Sequence, residues 1–157
     1  MIISLALLKY YGLDVIPHVI IYGIIFALLP DIDMIIWLKK DDWRINKWAH
    51  EHREHFLHYP LFYLPTVTLI LWSCQNYFYI ILFIYCSLWH FLHDSFGLGW
   101  GLKWLFPISD KWYKFFAAKH DKKNIRFLTT WTSEELIMEV EKRGDDNWHK
   151  KKKSYIT

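Results

Sequence analysis

The sequence predicts an all-α, multi-pass helical membrane protein of about three to four membrane-embedded helices with a short C-terminal cytoplasmic helical appendage. Three observations lead there. The chain is 54% hydrophobic and 20% aromatic, with ten tryptophans, although charged residues still reach 22%. Its apolar residues gather in blocks over the first two-thirds, and charge dominates the last third. Basic residues gather in the 30–58 loop and the C-terminal region, and none lies between Tyr59 and Trp89. The 157 residues suffice for one principal core. They divide into a membrane-embedded helical region carrying a metal site, 1–107, and a cytoplasmic region of amphipathic helices and basic tail, 108–157.

Taken in order, the run "IISLALL" near the start has no basic residue before it, so no signal peptide is expected. The first apolar block, Val15 to Leu29, holds no charge and a single histidine, His18. A loop over 30–58 follows. From Tyr59 to Trp89 there is again no charged side chain, and only Gln75 and Asn76 interrupt the apolar character seriously. This pattern predicts a helical hairpin, 60–74 out and 77–95 back. Each arm falls short of the roughly 20 residues a bilayer core requires. An interfacial belt of Trp72, Trp89, Trp100, Trp104, Tyr59, Tyr63 and Tyr77 makes up the length. The alternative is a soluble helical domain with a buried hairpin. Charge placement favours the membrane, because Lys39, Lys40, Arg44, Lys47 and Arg53 share one side with the C-terminal lysines, and the hairpin tip is uncharged. That side is then the cytoplasm, and the membrane is the inner one.

Beyond residue 107 the segment "PISDKWYKFFAAKH" (107–120) predicts a short helix capped by Ser109 or Asp110. Thr132 to Glu135 reads as a capping box, followed by an apolar stripe of Leu136, Ile137 and Val140 up to Gly144. Lys150 to Lys153 form a solvated tail drawn to anionic lipid, and no nucleic-acid partner is expected. Cys74 and Cys86, both inside apolar runs, suit neither a thiolate metal site nor a disulfide framework and read as small buried hydrophobes.

Ionisable residues gather in three places. Asp31 and Asp33 follow the first apolar block in "ALLPDIDM". His50, His52, His55 and His58 precede the hairpin, and His90, His93 and Asp94 end its second arm. His90 and Asp94 are four residues apart and project from one helix face, one turn apart. In the hairpin topology all three groups reach the same membrane face. Taken singly, D-x-D is a helix-ending turn and the histidine run a solvated helix face. Together they are metal ligands: a mixed imidazole and carboxylate set suits one or two Zn²⁺ or Mn²⁺ ions with an open position for water. Such water ionises near neutral pH and attacks an ester or phosphoester. Remaining histidines or aspartates can move the proton, and Arg53 can clamp a phosphate oxygen. No H-E-x-x-H spacing occurs, which excludes a zincin. His18, about 20 Å up an unbroken helix from Asp31, lies outside ligand reach.

The stretches "ALLPDID", "HREHFLH" and "HFLHDSFGLGWGLKWLFP" resemble the YdjM-like family of membrane-bound metal-dependent hydrolases. The resemblance covers about residues 20–107. It implies a multi-pass helical membrane protein in which Asp31 and Asp33 match the paired aspartates. His52 and Arg53 match the His-Arg start, His58 the closing histidine, and His90 and Asp94 the last pair. The His52 to His58 segment is one residue longer than usual, so His55 can replace either neighbour as ligand. Glu54 stands where glycine is typical, and Met34 where histidine is common. Asp33 and Arg53 are the residues to which catalysis is assigned. A more distant likeness to zinc-dependent phospholipase C points to phosphoesters at lipid headgroups. Two other classes compete with the hydrolase: divalent-metal transport or buffering, and a noncatalytic membrane scaffold.

Overall fold

The computed structural model describes residues 1–40, 53–73, 76–96, 100–118 and 125–143. Its spine is α5 (Tyr77–Phe96). Helices α1 (Ile2–Tyr10) and α2 (Pro17–Leu28) pack on one side of it, burying Leu8, Val19, Leu82 and Cys86 together. Pro17 stands at the start of α2, where its missing N–H would have no helical partner. The close approach of α1 to α2 depends on Gly23. A Cβ there would stand 2.0 Å from the Ser4 hydroxyl oxygen.

The chain does not leave its helix at the aspartates, as a helix-ending turn would require. A 3-10 turn over Leu29–Asp31 runs straight into α3 (Ile32–Lys40). The cause lies in two residues. Pro30 has no N–H to give the Phe26 carbonyl one turn earlier, and its ring disturbs the helix there. Ser87 of α5 donates its hydroxyl to that same carbonyl at 3.2 Å, so the break leaves no buried acceptor orphaned. Among the described residues, Pro17–Lys39 is the stretch long and apolar enough to cross a membrane, at 23 residues. Asp31 and Asp33 therefore lie within it and not at its end.

The expected hairpin forms from α4 (Pro60–Trp72) and α5. It packs around Tyr63, Phe83, Phe91 and Leu102. Cys86 is buried and unpaired, while Cys74 lies outside the described residues.

Beyond residue 107 the all-α expectation fails. Residues 112–118 form a strand instead of the helix expected over 107–120. The strand β1 (Trp112–Ala118) pairs antiparallel with β2 (Ile125–Trp131), from Trp112 opposite Trp131 to Ala118 opposite Ile125. Aromatic and β-branched residues facing one another across the ladder outweigh the helix preference of Ala117 and Ala118. The pairing skips Phe116, whose φ is 49°. Helix α6 (Ser133–Arg143) then begins with the anticipated capping box in both directions. The Glu135 N–H donates to the Thr132 hydroxyl at 3.2 Å, and the Thr132 N–H donates to the Glu135 carboxylate at 3.0 Å. Leu136 and Val140 close over Trp112 and Trp131. Ile137 of the expected stripe is exposed.

This unit is fastened to the helices near the end of α5. Gly101, at φ 90°, passes so close to β1 that a Cβ would lie 2.2 Å from the Tyr113 carbonyl oxygen. Leu102 and Tyr113 exchange two backbone hydrogen bonds, 2.8 and 3.1 Å long. Phe96 stacks on Phe115, and the Trp104 indole donates to Ser95 at 2.8 Å. Lys103 is buried, with its ammonium on Asp110 at 2.6 Å and above the Trp112 ring.

Candidate metal centre

Four segments meet beneath the helix break. The 3-10 turn supplies Asp31, the first turn of α3 supplies Asp33, a second 3-10 turn (Phe56–His58) supplies His58, and α5 supplies His90 and Asp94. Pro60, opening α4 just after His58, fixes the direction in which that turn leaves. On α5, Ser87, His90 and Asp94 recur at helical spacing, so the residue that repairs the break lies on the same face as the two candidate ligands.

Asp31, His58, His90 and Asp94 each place one ligand atom within 4.8 Å of all the others. His58 Nε2 lies 3.3 Å from Asp31 Oδ1 and 3.8 Å from Asp94 Oδ2. His90 Nε2 is 3.5 Å from each of the same two oxygens. Donors held about 2.0–2.1 Å from a tetrahedral ion are roughly 3.3–3.5 Å apart; three of these separations lie in that range, and His58 to Asp94, at 3.8 Å, is longer. The buried His90 Nε2 and Asp94 Oδ2 atoms have no hydrogen-bond partner among the described residues. Buried polar atoms rarely lack partners, and a cation between them would satisfy both. The set therefore fits a divalent ion.

Asp33 is buried but stands outside this group of four. Its Oδ2 lies 3.3 Å from His58 Nδ1, on the far edge of the imidazole. The two aspartates of the D-x-D thus bracket one ring, Asp31 at Nε2 and Asp33 at Nδ1. A carboxylate behind a histidine fixes the ring and the tautomer that presents Nε2 to the other ligands. Burial of His58 opposes its protonation, but hydrogen bonds to Asp31 and Asp33 prevail and raise its pKa above the usual 6.5.

Arg53 donates from Nη2 to Asp94 Oδ1 at 3.1 Å, while Asp94 Oδ2 faces the cluster. The Tyr59 hydroxyl donates to the Glu54 carbonyl and pins the segment that carries Arg53. His55 is exposed and outside the group, as is His93. His52 and His50 lie outside the described residues. His18 meets the Tyr22 ring, away from the cluster.

The YdjM inner membrane protein family matches residues 1–149. The chain belongs to that family. The match extends well past residue 107, so the hairpin and α6 fall inside the family region and not beyond it. The chain matches no curated protein and no solved structure.

Two residues of the site escaped the sequence reading. Ser87 gives no signal in an apolar helix, though its place three before His90 is visible afterwards. Lys114, on β1, lies within electrostatic reach of Arg53 and Asp94. Burial, then the Arg53 charge, pull its pKa down to about 8 against an opposing pull from Asp94. Nothing in the sequence links Lys114 to residues so distant, because the hairpin's docking beside α5 creates the proximity.

Proposed function

We propose that the protein is a membrane-bound metal-dependent hydrolase that cleaves a phosphoester, or another ester, at the cytoplasmic lipid interface. The supporting observation is the convergence of Asp31, His58, His90 and Asp94, one ligand atom from each within 4.8 Å of the others and three of the separations at 3.3–3.5 Å. A divalent ion of the Zn²⁺ or Mn²⁺ class held there supplies Lewis acidity and a nucleophile at neutral pH. Each residue then has a stated role. Asp33 holds His58 by its Nδ1 edge, and Arg53 fixes the orientation of Asp94 through Oδ1. His90 Nε2 and Asp94 Oδ2 complete the shell. The third-exposed Asp31 side chain marks the side open to substrate.

The topology goes with this reading. The stretch Pro17–Lys39, α4 and α5 are embedded in the inner membrane, and the site and C-terminus face the cytoplasm. The outer faces of these helices support it. Ile21, Ile24, Ile25, Leu69, Ile70 and Trp89 are all exposed, as lipid-facing residues are.

The test is hydrolysis of a soluble phosphodiester by protein purified in detergent. Activity should disappear on chelation, return on adding back one divalent metal, and be absent from Asp94→Ala. Activity that persists through both treatments contradicts the proposal. One observation favours a second reading, transport of the ion itself: the candidate span is broken at Pro30 beside Asp31, as transporter helices break at their binding sites. Metal flux into proteoliposomes without any hydrolysis would select it.

A further inference from the structure

The C-terminal hairpin carries aromatic rings that its own core does not use. Trp112 and Trp131 are buried against α6, but Phe115, Phe116 and Phe127 gather with Phe96, the last residue of α5. The Phe96 ring centre lies 4.8 Å from that of Phe115 and 5.6 Å from that of Phe116. Phe127 lies 5.6 and 5.3 Å from the same two rings. Neighbouring residues of a regular strand point to opposite faces, so Phe115 and Phe116 ought to part. They do not, because Phe116 takes a left-handed backbone at φ 49° and the ladder skips it. That conformation is unfavourable for a bulky side chain. Burial is not what it achieves. Phe96 is 48% exposed, Phe116 57% and Phe127 66%, so a strained backbone assembles an open apolar patch.

The patch continues a surface that begins on α5. Tyr85, Trp89 and Phe96 recur at helical spacing along the exposed side of that helix, with His93 exposed among them. Aromatic rings at the end of an embedded helix lie at the level of the headgroups. The surroundings of the patch are basic. Arg126 is exposed between the exposed Ile125 and Phe127, and the sequence 119–124, outside the described residues, holds three lysines against one aspartate. Apolar rings beside basic side chains suit an anionic lipid surface. A second copy fits less well, because a symmetric contact here brings the same basic residues of two chains together. Resting on the reading of α5 as embedded, we propose that Phe96, Phe115, Phe116 and Phe127 form a lipid-binding surface that lays the C-terminal hairpin in the headgroup layer of an anionic membrane. The hairpin is then an interfacial element beside the end of α5 and not an appendage in water.

The experiment attaches nitroxide labels to the full-length protein in vesicles of phosphatidylethanolamine and phosphatidylglycerol, in a background of Cys74→Ala and Cys86→Ala. Phe116→Cys and Phe127→Cys report on the patch. Leu69→Cys on α4 serves as the lipid reference and Lys142→Cys on α6 as the aqueous one, both positions being exposed. Relaxation of each label by oxygen is compared with relaxation by a water-soluble nickel chelate. The oxygen-to-nickel ratio at 116 and 127 should be severalfold above that at 142 and approach that at 69. Melting curves establish that the labelled proteins fold, and Ile125→Cys replaces Phe116→Cys if the latter does not. Ratios at 116 and 127 equal to that at 142, with 69 in lipid, overturn the surface and keep the embedded helices. A label at 69 that reports water overturns the embedded helices, and the surface then stands or falls on 116 and 127 measured against 142. Shielding of 116 and 127 from both reagents means that protein covers the patch, and it overturns the proposal.

Discussion

The helical region and the C-terminal unit both bury apolar cores but differ in the polar residues they hold inside. Around α5 the outer faces carry Ile21, Ile24, Ile25, Leu69 and Ile70, while the interior holds His58, Ser87 and Asp94. The hairpin and α6 bury Trp112, Trp131, Leu136 and Val140, and their outer face mixes charged residues such as Glu134, Glu141 and Lys142 with apolar ones such as Ile125 and Phe127. An outer face as apolar as the first is the kind that lipid or a partner covers, and the second mixes both characters. The chain belongs to an inner membrane protein family, and Pro17–Lys39 is long and apolar enough to cross a membrane. The polar cluster of Asp31, His58, His90 and Asp94 belongs to the helical part.

The largest expected effect tests whether the two parts are separable. Trp131→Ala empties the core between hairpin and α6, and removal of a buried aromatic costs about 3–5 kcal/mol. Hydrogen exchange should rise through 112–143 and remain slow in α5. Uniform loosening of both would merge them into one cooperative unit.

Asp33→Asn addresses the helical side alone. Loss of the carboxylate behind His58 should weaken metal affinity about 10–100-fold, with little change in fold. Affinity equal to wild type would mean that the His58 ring is held by other contacts.

Ser87→Ala removes the donor to the Phe26 carbonyl and should destabilise the protein by about 1 kcal/mol. Thermal melting in detergent checks it. No change in melting would show that the break at Pro30 is satisfied some other way.

The last effect lies on the C-terminal side and concerns pH. Lys114 has its folded pKa near 8, below the ordinary 10.5, so between those values the unfolded chain binds more protons. Stability should therefore rise with pH across that window, because the native ammonium is the disfavoured form. Lys114→Met should reduce the slope, measured as the difference from wild type between pH 8 and 10.5. An identical slope would place Lys114 in ordinary solvent.

What the sequence revealed divides along the same line. The paired helices α4 and α5, the shared face of His90 and Asp94, and the capping box at Thr132 all follow from helical spacing, a local rule that residues obey wherever the helix lies. The meeting of Asp31 with His58 and His90 could be anticipated from where the apolar blocks end, even though the helix runs on past Asp31. The division of Asp31 and Asp33 between two edges of one imidazole could not, since D-x-D spacing does not say which nitrogen each oxygen meets. The strand at 112–118 was hidden for a different reason. "WYKFFAA" contains no Gly or Pro and ends in two alanines, and only its partner 125–131 decides the conformation. With the strand unseen, Lys114 was unseen too.

The account stands most directly on the metal content of gently purified wild-type protein beside Asp94→Ala and His90→Ala. It predicts one or two divalent ions per chain in the wild type, and loss of most of that metal in both variants while helical content is kept. Metal-free wild type, or the same metal in all three proteins, would contradict it.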